Sequence, residues 1–254
     1  MDQSKGKTYF ISDVHLGASA LKNNKEREKA FVDWLDEIKH DANALFLMGD
    51  IFDFWFEYRK VVPRGFTRTL GKIAEIADSG IPVHFFTGNH DVWVFDYLPE
   101  ELGIILHREA YKTVINGKKF YLAHGDGLDP HDKGYLRIKK VFTNKIAQWL
   151  FSQLHPNFAF WFGHRWSKQS RLVNGLVAAK YQGDDRESMY IFADNLQKTE
   201  HFDFFVFGHR HVLVERPIGE KSKYINLGDW IHHFSYGVFD GEKFEVKQYK
   251  NLFI

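Results

Sequence analysis

Five short apolar runs along the chain each end abruptly in polar residues: Tyr9-Phe10-Ile11, Ala44-Leu45-Phe46-Leu47-Met48, Val83-His84-Phe85-Phe86, Phe120-Tyr121-Leu122-Ala123 and Phe204-Phe205-Val206-Phe207. Runs this short, rich in aromatic and branched residues, read as buried strands. Between the first two, over residues 23–40, Ala30, Phe31, Trp34, Leu35 and Ile38 recur at helical spacing, with Asn23 and Glu26 placed as a capping box. A second amphipathic helix over residues 66–78 carries Leu70, Ile73, Ala74 and Ala77 on one face and stops at Gly80, before Pro82. This β-α-β-α-β opening predicts parallel strands with right-handed crossovers. Asn116-Gly117 and Asp240-Gly241 each lie between strand-like runs and predict two-residue hairpin turns, so the second half is expected to be partly antiparallel. The sum is an α/β (α+β) chain with two mixed sheets packed face to face between helices.

One segment breaks this rhythm. Residues 133–183 contain nine Lys or Arg and no Asp or Glu, whereas the whole chain is only +1, which leaves the remainder at −8. Ten aromatics fall in the same segment. Val141, Phe142, Ile146, Trp149, Leu150 and Leu154 keep helical spacing, and Phe158-Ala159-Phe160-Trp161-Phe162 follows Pro156. We read one domain over residues 1–254 with a helical cap inserted at about 131–199. A solvated basic subdomain, a lid for an anionic and greasy substrate, a membrane-surface patch and a nucleic-acid surface are all compatible with this pattern.

Composition narrows the class. A 254-residue chain that is 44% hydrophobic and 17% aromatic can bury a substantial core and is not disordered. It has no cysteine, which excludes disulfides and thiolate metal sites and fits a reducing compartment. The first seven residues carry no signal-peptide core, and no stretch approaches eighteen uninterrupted apolar residues. The expectation is a cytoplasmic protein without a membrane span.

The polar residues that end the strands share one chemistry. They are Asp13-Val14-His15, Gly49-Asp50-Ile51-Phe52-Asp53, Gly88-Asn89-His90-Asp91, His124-Gly125-Asp126 and Gly208-His209-Arg210-His211. Asp-x-His and His-x-His put two donors on one face of extended chain, and the carboxyl edge of an α/β sheet is where ligands bind. Any one cluster alone suits a solvated turn. Five together point to metal ions held by oxygen and nitrogen.

This ordered set is similar to that of the calcineurin-like metallophosphoesterases, and the likeness covers nearly the whole chain. The resemblance implies an αββα sandwich whose site holds two divalent ions, Mn first and Fe or Zn as alternatives. It assigns Asp13, His15, Asp50 and His211 to one ion, and Asp50, Asn89, His124 and His209 to the other, with Asp50 shared. Such a pair clamps a phosphoryl group and activates a water for in-line attack. His90 has no place in that ligand set, so it is expected to bind the phosphate or protonate the leaving oxygen, with Asp91 fixing its tautomer. Asp53 and Asp126 are expected to support ligands from behind, helix capping being the alternative for both.

Asp132-Lys133-Gly134-Tyr135, the basic insert and Leu227-Gly228-Asp229-Trp230 narrow the resemblance to the UDP-2,3-diacylglucosamine diphosphatase branch of lipid A synthesis. His90 stands where that branch usually has Arg. The resemblance implies cleavage of a pyrophosphate in an acylated nucleotide-sugar, giving UMP and 2,3-diacylglucosamine 1-phosphate. The acyl chains would lie on Trp149, Phe158, Trp161 or Phe162, and Tyr135, Ser167, Lys168 and Arg171 would contact substrate. It further implies a cytoplasmic enzyme held peripherally on the anionic inner membrane, with no nucleic-acid partner and with the oligomeric state open. A soluble nucleotide or nucleic-acid end is the rival substrate. A non-catalytic binding module is the rival class, but such relatives tend to lose ligands, and all seven ligand positions are intact here.

Overall fold

The computed structural model describes residues 6–130, 132–174 and 180–249, with the backbone alone for 168–174. Strands β1 (Lys7–Ile11), β2 (Ala42–Leu47), β3 (Val83–Phe86) and β4 (Ile105–His107) pair in parallel. Helices α1 (Asn24–Ile38), α2 (Thr67–Asp78) and α3 (Tyr97–Leu102) supply the crossovers. Strands β10 (Ser235–Phe239) and β11 (Phe244–Gln248) extend this sheet antiparallel, in the order β11-β10-β1-β2-β3-β4. A second mixed sheet, ordered β5-β6-β7-β9-β8, is built from β5 (Tyr111–Ile115), β6 (Lys118–Leu122), β7 (Phe204–Phe207), β8 (Leu213–Ile218) and β9 (Ser222–Leu227).

Period-two alternation decides which side chains fill which layer. Phe10 and Phe46 stack at 5.0 Å and, with Phe244 of β11, face Phe120, Phe204 and Ile225 of the second sheet. Their neighbours Tyr9, Ile11, Leu45 and Leu47 point the other way, onto Phe31, Trp34 and Leu35 of α1 and Ile73 and Ile76 of α2. Helix α7 (Ser188–Gln197) covers the outside of the second sheet, with Met189 and Ala193 against Tyr121, Phe205 and Phe207. Its residues fall within the expected insert, yet by packing they form the fourth layer of the sandwich. The remaining insert helices are α4 (Lys133–Phe142), α5 (Lys145–Ser152) and α6 (Pro156–Asn174). Phe142, Phe151 and Phe160 fix them to Phe54, Phe56 and Trp93 at the edge of the first sheet.

Two local expectations are corrected. Asn23 precedes α1 but its side chain makes no capping bond, so the box does not form; Asn24 instead donates to the Ala18 and Leu21 carbonyls and anchors the loop before the helix. Asp240-Gly241 opens a longer turn, because the Asp240 carboxylate accepts the Glu242 and Lys243 N–H groups and offers the backbone an alternative to a tight hairpin. Asn116-Gly117 does form the two-residue turn, both residues having positive φ.

His84 on β3 stacks on Phe46 at 4.3 Å, and its Nδ1 lies 2.8 Å from His107 Nε2. Burial first, and the neighbouring His107 next, pull its pKa down to about 4. The unfolded chain takes up this proton below about pH 6.5 and the folded chain only near pH 4. The stability held by the neutral ring is therefore complete above pH 6.5 and falls as pH drops toward 4. His84→Phe should reduce the shift in urea midpoint between pH 7 and pH 5; an unchanged shift would assign the acid sensitivity elsewhere.

Candidate metal centre

The five polar clusters converge because β1, β2, β3, β6 and β7 all end on one rim. Asp13, His15, Asp50, His209 and His211 have φ between 48° and 66°, which makes them five of the eight non-glycine residues with positive φ among those described. Such backbone costs about 1–3 kcal/mol per residue and persists only where its surroundings impose it. Here the loops hold one another. Asp13 N donates to the Gly49 carbonyl, His15 N to Asp50 and Trp230 N to Asp13, at 2.9–3.1 Å. A Cβ on Gly88 would fall 2.2 Å from Asp50 Oδ1, and one on Gly208 would fall 1.8 Å from Ser12 Oγ, so the strand ends close up only around glycine.

Ligand atoms gather in three groups, one around Asp13, His15 and His211, one around Asp50, His124 and His209, and a third of His15, Asp53 and His90 that shares His15 with the first. His211 Nε2 is 3.3 Å from Asp13 Oδ1 and 3.3 Å from His15 Nε2, while His15 Nε2 is 3.6 Å from Asp13 Oδ1. His124 Nε2 lies 3.4 Å and His15 Nε2 3.7 Å from Asp50 Oδ2, which places Asp50 between the first two groups. His209 completes the group around Asp50 and His124. The imidazoles are oriented from behind. His124 Nδ1 donates to the Met48 carbonyl at 2.9 Å, so Nε2 faces the site. His211 Nδ1 lies 3.1 Å from Asp229 Oδ2, a carboxylate whose other oxygen accepts the N–H groups of Ile231, His232 and His233. This carboxylate–histidine pairing is the usual support of a metal-bound imidazole.

Asp13 Oδ1, Asn89 Oδ1 and His124 Nε2 are buried and have no hydrogen-bond partner among the described residues. Buried polar atoms are almost always satisfied, so a cluster of orphaned lone pairs fits divalent cations of the oxygen- and nitrogen-loving kind. The electrostatics show a cluster that attracts positive charge. Burial pushes the Asp13 carboxyl up, whereas Asp50, which burial alone would raise, is held far down mainly by His124. Burial would lower His124, but Asp50 and Asp13 raise it to about 10. Burial, with His124 next, lowers His209 to about 3 and keeps its lone pair available.

Two supporting residues, Asp91 and Asp126, differ from expectation. Asp91 does not touch the His90 ring. Its carboxylate is fully buried and accepts N–H groups from Gly88, Asp50, Ile51 and Phe52 at 2.7–3.4 Å, so it ties the β2 and β3 loops together. The Asp53 carbonyl takes the expected role, accepting from His90 Nδ1 at 2.9 Å and leaving Nε2 for the site. Asp53 also lies behind His15, its Oδ1 3.6 Å from Nδ1. Among the described residues, Asp126 carries no hydrogen bond to a histidine. Its carboxylate takes the Tyr135 hydroxyl at 2.5 Å and the Lys139 ammonium at 2.6 Å, bracing α4 against the loop after β6. Ser167 is buried and donates to Asp53 Oδ2 at 2.8 Å, so Ser167, like Tyr135, is bonded to the core. The side chains of Lys168 and Arg171 lie outside the described residues.

Sequence reading named Asp229 only within a motif, without a role at the site, and missed Arg27. Asp229 follows an apolar run and a glycine, the template that found the other ligands, so its signal was present. Arg27 gave none. It is a charged residue on the buried face of α1, where it donates to the Val14 and Trp230 carbonyls and so holds the loops carrying Asp13, His15 and Asp229.

The chain is similar to several known proteins. A family model described as calcineurin-like phosphoesterase matches residues 6–213. A UDP-2,3-diacylglucosamine hydrolase of Porphyromonas gingivalis is 38% identical over 98% of this chain and 99% of its own. One of Shewanella pealeana is 26% identical over 88% and 90%. Among solved structures, a dimetal phosphatase from Danio rerio superposes with a TM-score of 0.46 at 13% identity, covering 93% of this chain and 92% of that one.

Asp91→Ala should leave four buried N–H groups without an acceptor and lower stability by about 3 kcal/mol or more. Urea unfolding is the check, and a loss under about 1 kcal/mol would contradict the structural role given to Asp91.

Proposed function

The chain belongs to the calcineurin-like phosphoesterase family, and from that premise we propose that it hydrolyses the pyrophosphate of UDP-2,3-diacylglucosamine, giving UMP and 2,3-diacylglucosamine 1-phosphate. One observation carries this reading. An aromatic slot opens directly off the ligand cluster, sharing Asn89 and His90 with it and walled by Phe54, Trp93, Phe142, Phe162 and Trp166. A phosphoryl site and a greasy site therefore have common residues, as a lipid-linked phosphoester requires. The name borne by the Porphyromonas gingivalis relative, which matches over nearly its full length, supports the same substrate.

In this proposal Asp13, His15, Asp50 and His211 hold one divalent ion, and Asp50, Asn89, His124 and His209 hold the other. Bound ions of this kind polarise a phosphoryl group and lower the pKa of a water. His90, fixed through Nδ1, directs Nε2 toward the slot mouth to bind a phosphate oxygen or pass a proton to the leaving group. The slot encloses only about 50 Å³, far below the volume of a ligand-filled pocket, so the acyl chains enter as α4 and α6 move off the core. Phe162 lines it, but Trp149, Phe158 and Trp161, expected to hold the chains, are more than half exposed. They give the cap an outer face that is apolar and basic, without an acidic residue from 133 to 183.

We assign that face to an anionic membrane surface. No described helix is long and apolar enough to cross a membrane. Each basic residue near an anionic leaflet contributes about 1 kcal/mol, and the aromatic rings bury at the headgroup boundary.

With Mn(II) present, the purified chain is expected to release UMP from UDP-2,3-diacylglucosamine. His90→Ala should reduce that rate by about 10²–10⁴ at unchanged metal content. No UMP from the unaltered chain would refute the substrate, and full activity in His90→Ala would refute the role of the imidazole. His90→Arg retaining substantial rate would assign phosphate binding rather than proton transfer to that position. Sedimentation with anionic vesicles should weaken as salt rises and fall in a Trp149→Ala, Trp161→Ala double variant; binding indifferent to both would remove the membrane assignment.

A further inference from the structure

A second cavity reaches the ligand cluster through His209. It encloses about 240 Å³ and shares no lining residue with the aromatic slot. Its walls are polar, including Tyr135, Gln182, Glu187, Ser188 and Arg210. Resting on the function proposed above, we propose that this cavity is the nucleoside subsite, taking the uracil and ribose of the substrate.

Three observations lead there. The substrate has two unlike ends joined by the pyrophosphate that must sit on the cluster, so the ends leave by separate openings. Acyl chains suit the aromatic slot. They do not suit a wall containing Glu187, a carboxylate only 2% exposed that is paired with Arg210 at 3.2 Å, because apolar cover would desolvate that pair. The volume lies just below the roughly 300–1,000 Å³ of pockets for drug-sized ligands, which fits one nucleoside and not two acyl chains.

The chemistry of the wall also matches. Uracil presents two carbonyl acceptors around one N–H donor, and a carboxamide offers both an acceptor and donors. The Gln182 carboxamide has no hydrogen-bond partner among the described residues, while its backbone N–H is fixed to Glu187 Oε1 at 3.0 Å. Glu187 thus positions Gln182 and Arg210 together. Two of the five guanidinium N–H groups of Arg210 are engaged by Glu187, and others remain for a uracil carbonyl or a ribose oxygen. The Ser188 hydroxyl, at the start of α7, is a further partner for ribose.

The test is calorimetric binding of UMP, inorganic phosphate and 2,3-diacylglucosamine 1-phosphate to the Mn(II)-loaded chain. UMP should bind more tightly than inorganic phosphate. Gln182→Leu should weaken UMP about tenfold, the worth of one well-placed hydrogen bond, and Ser188→Ala by a few-fold, with the acylated sugar phosphate unchanged in both. Ser188→Ala is the smaller change and answers the question if Gln182→Leu folds poorly. The subsite is overturned if UMP binds no better than phosphate, if neither variant weakens it, or if the two organic ligands weaken together. Selective loss of UMP supports the subsite even if the unaltered chain leaves UDP-2,3-diacylglucosamine intact; that second result would refute the substrate alone.

Discussion

Two buried carboxylates facing a cluster of imidazole lone pairs are the constraint on which the rest of the structure depends. Asp13 and Asp50 are at most 1% exposed, and nitrogens of His15, His124 and His211 lie 3.3–3.7 Å from their oxygens. Desolvated charge at this density is costly unless it is paired or coordinates a cation. The protein also bears the cost of five left-handed ligand residues. Both are sustained because two sheets packed through an aromatic interior fix where β1, β2, β3, β6 and β7 end. The stability of the sandwich is thus what positions the ligands, and a cation on those ligands stabilises the folded state in return.

The cap is joined to this arrangement through two residues beside the ligands. Asp53 meets His15 and His90 on one side and Ser167 of α6 on the other. Asp126 meets Tyr135 and Lys139 of α4, and Tyr135 lies with its ring 6.3 Å from that of His209. Displacement of α4 or α6 therefore alters a bond to a residue that supports a ligand or adjoins one. This links occupancy of the aromatic slot to the geometry of the cluster without a separate signalling element.

Much of this was legible in the chain. Strand existence, parallel pairing and the converging polar ends follow from period-two burial and from glycine at the strand ends, both local properties. What escaped was set by tertiary contact. Asp91 adjoins His90 in the chain whereas Asp53 lies 37 residues away, so a sequence reading favours Asp91 as its partner, and only the approach of the β2 loop decides that Asp91 spends its lone pairs on backbone. The cap helices are apolar on both faces, so spacing alone could not tell Phe142, Phe151 and Phe160, which pack inward, from Trp149, Phe158 and Trp161, which face outward. For α7, the sequence reading places its residues inside a helical insert at about 131–199 but does not say which layer receives them.

The proposed metal centre depends on Asp50 being shared by two ions. Titration of the metal-stripped chain with Mn(II), followed by electron paramagnetic resonance, measures this without reference to substrate. Two ions per chain with the signal of an exchange-coupled pair are predicted, since a bridging carboxylate brings the ions close together. A single ion per chain, or two ions with independent signals, contradicts it.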